Sequence, residues 1–413
     1  MSIIENSSNK FFYGYIVVIA SFFVLLVMHG IGNTFGVFFN SFQTEFAWSR
    51  TTISGAQSLA FFLEGLFAIA VGRLTDKFGP KLVIATSGLI LGLGYFLMSQ
   101  INTAWQLYVF YGVIVGMGTT SGNVTLLSTT TRWFIKRRGI MSGIVKVGTG
   151  AGIAIMPLVA SWLISSYGWR NSYAFLGIIG MISVVSFAQF LKRDPGQIGL
   201  KPYGMYEHES NNSHTPDAGL SFQEAIRTKQ FWMICSTYFA AWYIALSATG
   251  QIIPHALDLG VSTVRAAGVL SIIGGVSIPG RLVMGFIGDK VGMRRALVVC
   301  FLILIVALSW LQFAKTFWEL YLFAAIYGFA HGGVFALISP LVAELFGTKS
   351  HGTIFGMVLF ISQIGGTIGP VATGRMFDLT LSYQIAFLIL LIASILGSVL
   401  LTLLRPVIAE SKK

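Results

Sequence analysis

The chain carries one pattern twice, and this repetition limits what it can fold into more than any other feature. Gly72-Arg73-Leu74-Thr75-Asp76-Lys77-Phe78-Gly79-Pro80-Lys81 returns as Gly285-Phe286-Ile287-Gly288-Asp289-Lys290-Val291-Gly292-Met293-Arg294-Arg295. Asp76 and Asp289 are 213 positions apart (289 − 76), about half of 413 residues. The same interval takes Gly139 to Gly352, Gly143 to Gly356 and Pro157 to Pro370. Two copies of one membrane-embedded half is the plan of a secondary transporter, whose substrate site lies between the halves. The repeat is also a tool. A polar residue whose mate in the other half is apolar serves something the shared scaffold does not need.

The membrane assignment follows from charge. Charged residues make up only 10% of the chain, against about 25% for soluble domains. Apolar runs of about 20 residues, each long enough for a ~30 Å hydrocarbon layer, recur along the whole length. Twelve spans are expected, near 12–39, 51–73, 81–100, 105–131, 139–164, 171–191, 231–257, 264–287, 294–313, 318–345, 352–376 and 383–404. The expected fold is thus an all-α membrane protein of two pseudo-symmetric six-helix halves, 1–191 and 230–413, joined by a polar linker at 192–229. The linker reads as solvated, and its His208 and His214 are given no chemistry. Ser221-Phe222-Gln223-Glu224 within it has the pattern of a capped helix start. Cys235 and Cys300 both fall in apolar runs, so no disulfide is expected.

A net charge of +12 could suggest nucleic acid, but its distribution argues against that. With the N-terminus inside, 20 of the 27 basic residues fall on the cytoplasmic side and five outside. The positive-inside rule then places both termini in the cytoplasm, in the cell (inner) membrane. The remaining two, Lys146 and Arg281, lie within spans. No metal-ligand spacing, nucleophile elbow or phosphate loop is present, so neither an enzyme nor a cofactor is expected. A monomer is the default expectation.

The repeated loops, with Asp76-Lys77 and Asp289-Lys290, need tight turns, which their glycines permit. The positive-inside rule asks only for bases there. The recurring acid is therefore expected to cap a helix start or pair with a base in one state of a transport cycle.

At these residues the sequence resembles the major facilitator superfamily, across the whole chain apart from the ends and linker. Within it, three stretches resemble the monocarboxylate transporters and the bacterial oxalate/formate antiporter group. They are Asn33-Thr34-Phe35-Gly36-Val37-Phe38-Phe39, Trp133-Phe134-Ile135-Lys136-Arg137-Arg138-Gly139-Ile140-Met141-Ser142-Gly143, and Asp194-Pro195-Gly196-Gln197-Ile198-Gly199-Leu200-Lys201-Pro202. The resemblance implies a span-eight arginine that binds a substrate carboxylate, here Arg281. It also marks departures. Ser277 stands where monocarboxylate transporters carry an aspartate, Asn33 where they carry a lysine, and Lys146 where a small or apolar residue is usual.

The residues themselves point to an anion. Arg281 has Ala68 as its repeat mate. A guanidinium deep in a span costs roughly 3 kcal/mol or more, so it should face a cavity or a partner. Its planar fork fits a carboxylate; the structural alternative is an ion pair with Glu64. Lys146, mate of Leu359, could be a second cation or could snorkel to the cytoplasmic face. Glu64, mate of Ser277, could carry a proton or only neutralise a neighbour. His255 and His331 could couple protons or simply pack. Asn123 and Asn33 are candidate hydrogen-bond donors, as are Tyr243 and Gln363. The expectation is a transporter of small carboxylates, with substrate on Arg281, Asn123, His255, Asn33 and Lys146, and protons moving through His255, His331 or Glu64. Carboxylate exchange using Arg281 with Lys146 is the alternative.

Overall fold

The computed structural model describes residues 12–205 and 219–405. His208 and His214 lie outside them. Ten helices among the described residues are long and apolar enough to cross a membrane. One of them, Arg138–Ala188, is two helices meeting at Gly168, where φ is 75°. One more crossing is assembled from consecutive segments over 104–133. The total is twelve: α1 (Gly14–Phe46), α2 (Arg50–Phe78), α3 (Pro80–Met98), α4 (104–133), α5 (138–167), α6 (169–188), α7 (Lys229–Asp258), α8 (Thr263–Val291), α9 (Met293–Leu311), α10 (Phe317–Phe346), α11 (His351–Thr380) and α12 (Gln384–Leu403).

Local chemistry sets the ends of these helices, and it does so twice. Gly79 and Gly292, 213 apart, take φ of 83° and 97° and turn the chain from α2 to α3 and from α8 to α9. Side chains at those φ values are disfavoured. The starts of α4 and α10 show the same duplication. Gln106 accepts from the Thr103 amide at 3.1 Å, and its mate Glu319 accepts from the Thr316 amide at 2.8 Å. One irregularity departs from the expected spans. Tyr108–Val115 of α4 is π-helical, not a regular α-helical stretch. It carries Tyr111, whose hydroxyl donates to the Gly32 carbonyl at 2.9 Å.

The six-helix groups meet most extensively at two crossings, α2 with α11 and α5 with α8. Backbones touch there through glycine. A Cβ at Gly139 would collide with the Gly285 carbonyl, and one at Gly352 with that of Gly72, the same pair of positions in each half. Small residues let membrane helices approach this closely. These contacts lie in the half of each helix nearest the Asp76 and Asp289 loops, termed here the basic face. Beyond them, the glycines of α11 pack within their own group: Gly365 against Phe239, and Gly369 against Tyr243 and Ser247.

The expected loop acids act as caps, across the boundary between halves. Asp76 Oδ1 accepts from the Gly352 amide at 3.1 Å. Its Oδ2 accepts from the Thr353 amide at 2.9 Å and the Thr353 hydroxyl at 2.8 Å. Arg132 adds an ion pair at 2.6 Å. Asp289 accepts from the Gly139 amide at 2.7 Å and the Ile140 amide at 2.9 Å. Helix N-termini hold amides with no intrahelical partner and a partial positive charge, so a carboxylate is well placed there. The lysines do not join these caps. The Lys77 amine sits over the Phe78 ring and that of Lys290 over the Phe286 ring.

One expectation is corrected. The linker is not simply solvated. The Tyr203 amide donates to the Trp133 carbonyl at 3.0 Å, and the Leu220 amide to the Phe346 carbonyl at 2.9 Å. Trp133 and Phe346 are 213 apart, and each ends a helix. Terminal carbonyls have no intrahelical donor, and the linker supplies one to each half. Just after the second point the expected capping box forms: Ser221 Oγ accepts from the Glu224 amide, and Glu224 accepts from the Ser221 amide at 2.7 Å. The Ser221 hydroxyl and amide hold the Glu224 carboxyl below its ordinary pKa. Cys235 and Cys300 are free and buried.

Candidate functional site

At 1.5 Å rise per residue, sequence position gives depth from the basic face. Lys146 lies about 12 Å in, Asn123 and Arg281 about 15 Å, Glu64 about 21 Å and His331 about 22 Å, each counted from the near end of its helix. Five of the expected residues, on α2, α4, α5, α8 and α10, therefore fall within one layer about 10 Å thick.

Their contacts are specific. Lys146 Nζ donates to Asn123 Oδ1 at 2.6 Å, inside the N-terminal group. Lys146 is 7% exposed, so it does not snorkel to the membrane face. Arg281 Nη1 donates to the Lys146 backbone carbonyl at 3.1 Å, across the α5–α8 crossing. Arg281 Nε is buried with no acceptor among the described residues. A buried unsatisfied donor on a charged group is costly, and it marks where an acceptor would sit. The ion pair of Arg281 with Glu64 does not form. Glu64 instead lies in the field of Lys146. His331 stacks on Tyr327 and packs on Phe335, within the field of both Arg281 and Lys146.

Two small cavities meet at Glu64. One, about 10 Å³, is lined by Glu64, Asn123, Trp242, Leu359 and Gln363 among others, and so draws on both halves. The other, about 30 Å³, lies farther from the basic face and is lined by His29, Asn33, Gln57, Glu64 and Tyr111 among others. Glu64 is the carboxyl shared by the two.

The pseudo-symmetry sorts the charges. At the α5–α8 crossing stand Lys146 and Arg281. At the matching positions of the α2–α11 crossing stand Leu359 and Ala68, with Glu64 and Gln363 beside them. One wall of the centre is cationic, and the facing wall carries an acid and an amide.

Not every expected residue joins this level. Asn33 is about 28 Å from the basic end of α1. It lines the outer cavity and donates to the His29 carbonyl at 2.8 Å. His255 is about 39 Å from the basic end of α7. Its ring packs against Tyr383, just before α12, and Phe387 of α12, near Asp258. That is the far end of the helix, more than 20 Å in depth from Arg281. Trp242, not among the expected site residues, lines the smaller cavity and packs on Phe335. Its neighbour Tyr243, the candidate donor, packs its backbone against Gly369 of α11. The spacing Tyr238, Trp242 on one helical face was the available signal, since Phe335 contacts both.

Comparison with known proteins agrees with this architecture. The chain is 27% identical over 388 residues to monocarboxylate transporter 13 of Rattus norvegicus, covering 91% of this chain and 85% of that protein. It is 27% identical to the oxalate:formate antiporter of Oxalobacter formigenes, covering 96% and 92%. The crystal structure of the E. coli fucose:proton symporter superposes with a TM-score of 0.74 at 16% identity, over 96% of this chain and 100% of that one. The profile of the Major Facilitator Superfamily matches residues 17–309 and 278–413. With twelve apolar helices in two groups, the chain is a membrane transporter, not an enzyme, and belongs to the Major Facilitator Superfamily.

Proposed function

We propose that the protein is a proton-coupled symporter of small organic anions, monocarboxylates such as lactate or pyruvate, working by alternating access. The observation that carries this reading is the buried Arg281, whose Nε has no acceptor at a level where Lys146 adds a second cation. A centre with two cations and one acid selects an anion. Its few donors suit a small one. The relatives named above as carriers of monocarboxylates, oxalate and formate support the same class.

In this reading the carboxylate docks on Arg281. Asn123 and Lys146 bound its other side, and Trp242 and Leu359 supply apolar wall. Glu64, shared by the two cavities, takes the proton. His331 is a second proton candidate. His255 and Asn33, at other depths, act from the far side of the membrane. The basic face is cytoplasmic by the positive-inside rule, with both termini there. The Asp76 and Asp289 caps then close the cytoplasmic side, and the described state opens outward. The transporter works as a monomer.

The test is uptake of labelled mono- and dicarboxylates into proteoliposomes, with and without an inside-alkaline gradient. Accumulation should require the gradient. Uptake that ignores the gradient but requires an internal carboxylate would replace symport with exchange. One observation favours that second reading: the Lys146 amine is directed to the centre, where it could hold a second carboxylate. In that case Lys146→Leu should reduce dicarboxylate uptake by about 10- to 100-fold, the loss of one hydrogen bond to a charged group, and spare monocarboxylates. Equal loss of both substrates would remove Lys146 from a role in selectivity.

A further inference from the structure

We infer that Gly150 is a positioning residue for Arg281, and that it presents the Nε–Nη2 edge of the guanidinium to the ligand's carboxylate. The inference rests on the reading of Arg281 as the carboxylate ligand.

The geometry begins in α5. In a helix the carbonyl of residue 146 accepts from the amide of residue 150, one turn on. It has a second lone pair, and the side chain one turn on usually helps cover it. At Gly150 there is no side chain. Arg281 Nη1 uses the opening and donates to the Lys146 carbonyl at 3.1 Å. An ideal Cβ at Gly150 would lie 2.5 Å from Arg281 Nη1 and 3.6 Å from Cζ. An alanine there and the observed arginine cannot both keep their places. With one N–H of Nη1 committed to that carbonyl, the edge left wholly free of it is Nε with Nη2, and Nε is a buried donor with no acceptor among the described residues. Bidentate binding of a carboxylate needs two N–H groups on one edge.

The repeat shows that the scaffold does not require this glycine. The mate of Gly150 is Gln363, which stands at the α2–α11 crossing where Ala68 replaces Arg281. Where no arginine needs the room, a long side chain is present. Gly150 matters only where a guanidinium lies beside it. The contact also joins the halves: α5 belongs to one and α8 to the other. The edge offered to substrate therefore depends on the halves meeting at this crossing.

The test is a double-mutant cycle of Gly150→Ala with Arg281→Lys. A lysine ends at the position of Cζ, one atom short of the clash. KM and turnover for a labelled monocarboxylate would be read in proteoliposomes, and unfolding midpoints in detergent. Gly150→Ala should raise KM at least tenfold with turnover within about threefold, and should lower the unfolding midpoint. In the Arg281→Lys background the same change should leave the midpoint unaltered. Gly250→Ala on α7, where a Cβ meets nothing within 4 Å, should alter neither. A Gly150→Ala protein with KM within twofold of wild type overturns the inference. So does an equal loss of stability in both backgrounds, which would make Gly150 a packing residue alone. If Arg281→Lys by itself leaves KM unchanged, it is the reading of Arg281 that fails. Loss on Arg281→Lys with none on Gly150→Ala leaves that reading standing and removes Gly150 from it.

Discussion

Replacing Arg281 with glutamine should reduce carboxylate uptake at sub-saturating concentration by about 30-fold or more. Truncating one partner of a buried, hydrogen-bonded charge pair costs about 2–5 kcal/mol, or roughly 30- to several-thousand-fold at 1.4 kcal/mol per tenfold. Lys146 would not compensate. Its amine is engaged by Asn123 at 2.6 Å, and a point charge cannot reproduce a planar two-donor edge. The cost of the arginine itself supports the assignment: a guanidinium this deep is unfavourable by roughly 3 kcal/mol or more. Its mate Ala68 shows that the fold stands without it at the equivalent position. Uptake within threefold of wild type in Arg281→Gln would end the carboxylate assignment.

The second large effect concerns the caps on the basic face. Asp289→Ala removes two hydrogen bonds from a carboxylate to the start of α5. Asp76→Ala removes three at the start of α11, together with the ion pair to Arg132. Hydrogen bonds to charged groups contribute about 1.5–3 kcal/mol each. Even one such bond, if made only while this face is closed, shifts the equilibrium between states by ten- to a hundred-fold. The check is alkylation of a cysteine placed at the fully buried Ser142, in a protein lacking Cys235 and Cys300. Its rate should rise at least tenfold in Asp289→Ala and more in Asp76→Ala, which has the additional partners. Lys77→Ala and Lys290→Ala should leave it unchanged, because those amines sit over Phe78 and Phe286. Unaltered alkylation in Asp76→Ala would mean the caps do not govern opening of this face.

Much of this was legible in the sequence because membrane proteins repeat their constraints. A span must be long and apolar, a loop tight and basic, and a buried charge exceptional. Spans, repeat and intramembrane charges could each be read one residue at a time. What could not be read required knowing which residues share a depth and a face. His255 and Arg281 looked alike as polar residues in spans, yet they sit more than 20 Å apart in depth. Lys146 left two directions open, and only its bond to Asn123 chose between them. The linker looked solvated because its polar residues dominate. Its docking uses backbone amides, which every sequence carries and none advertises. Gly150 was invisible for the same reason: its role is the absence of a side chain beside a residue 131 positions away (281 − 150).

The caps have a consequence for how such a chain could arise. Asp76 with Gly352 and Asp289 with Gly139 are one contact made twice, with the partners exchanged. This is the signature of an isologous interface, in which the same patch serves both sides of a two-fold axis. Two separate, identical half-length chains would already possess a closable face, since each would carry both the acid and the helix start that receives it. Within one chain the two copies are free to differ. They differ at the centre, where Lys146 and Arg281 have Leu359 and Ala68 at the matching positions. The caps follow the two-fold axis, and the charged centre breaks it.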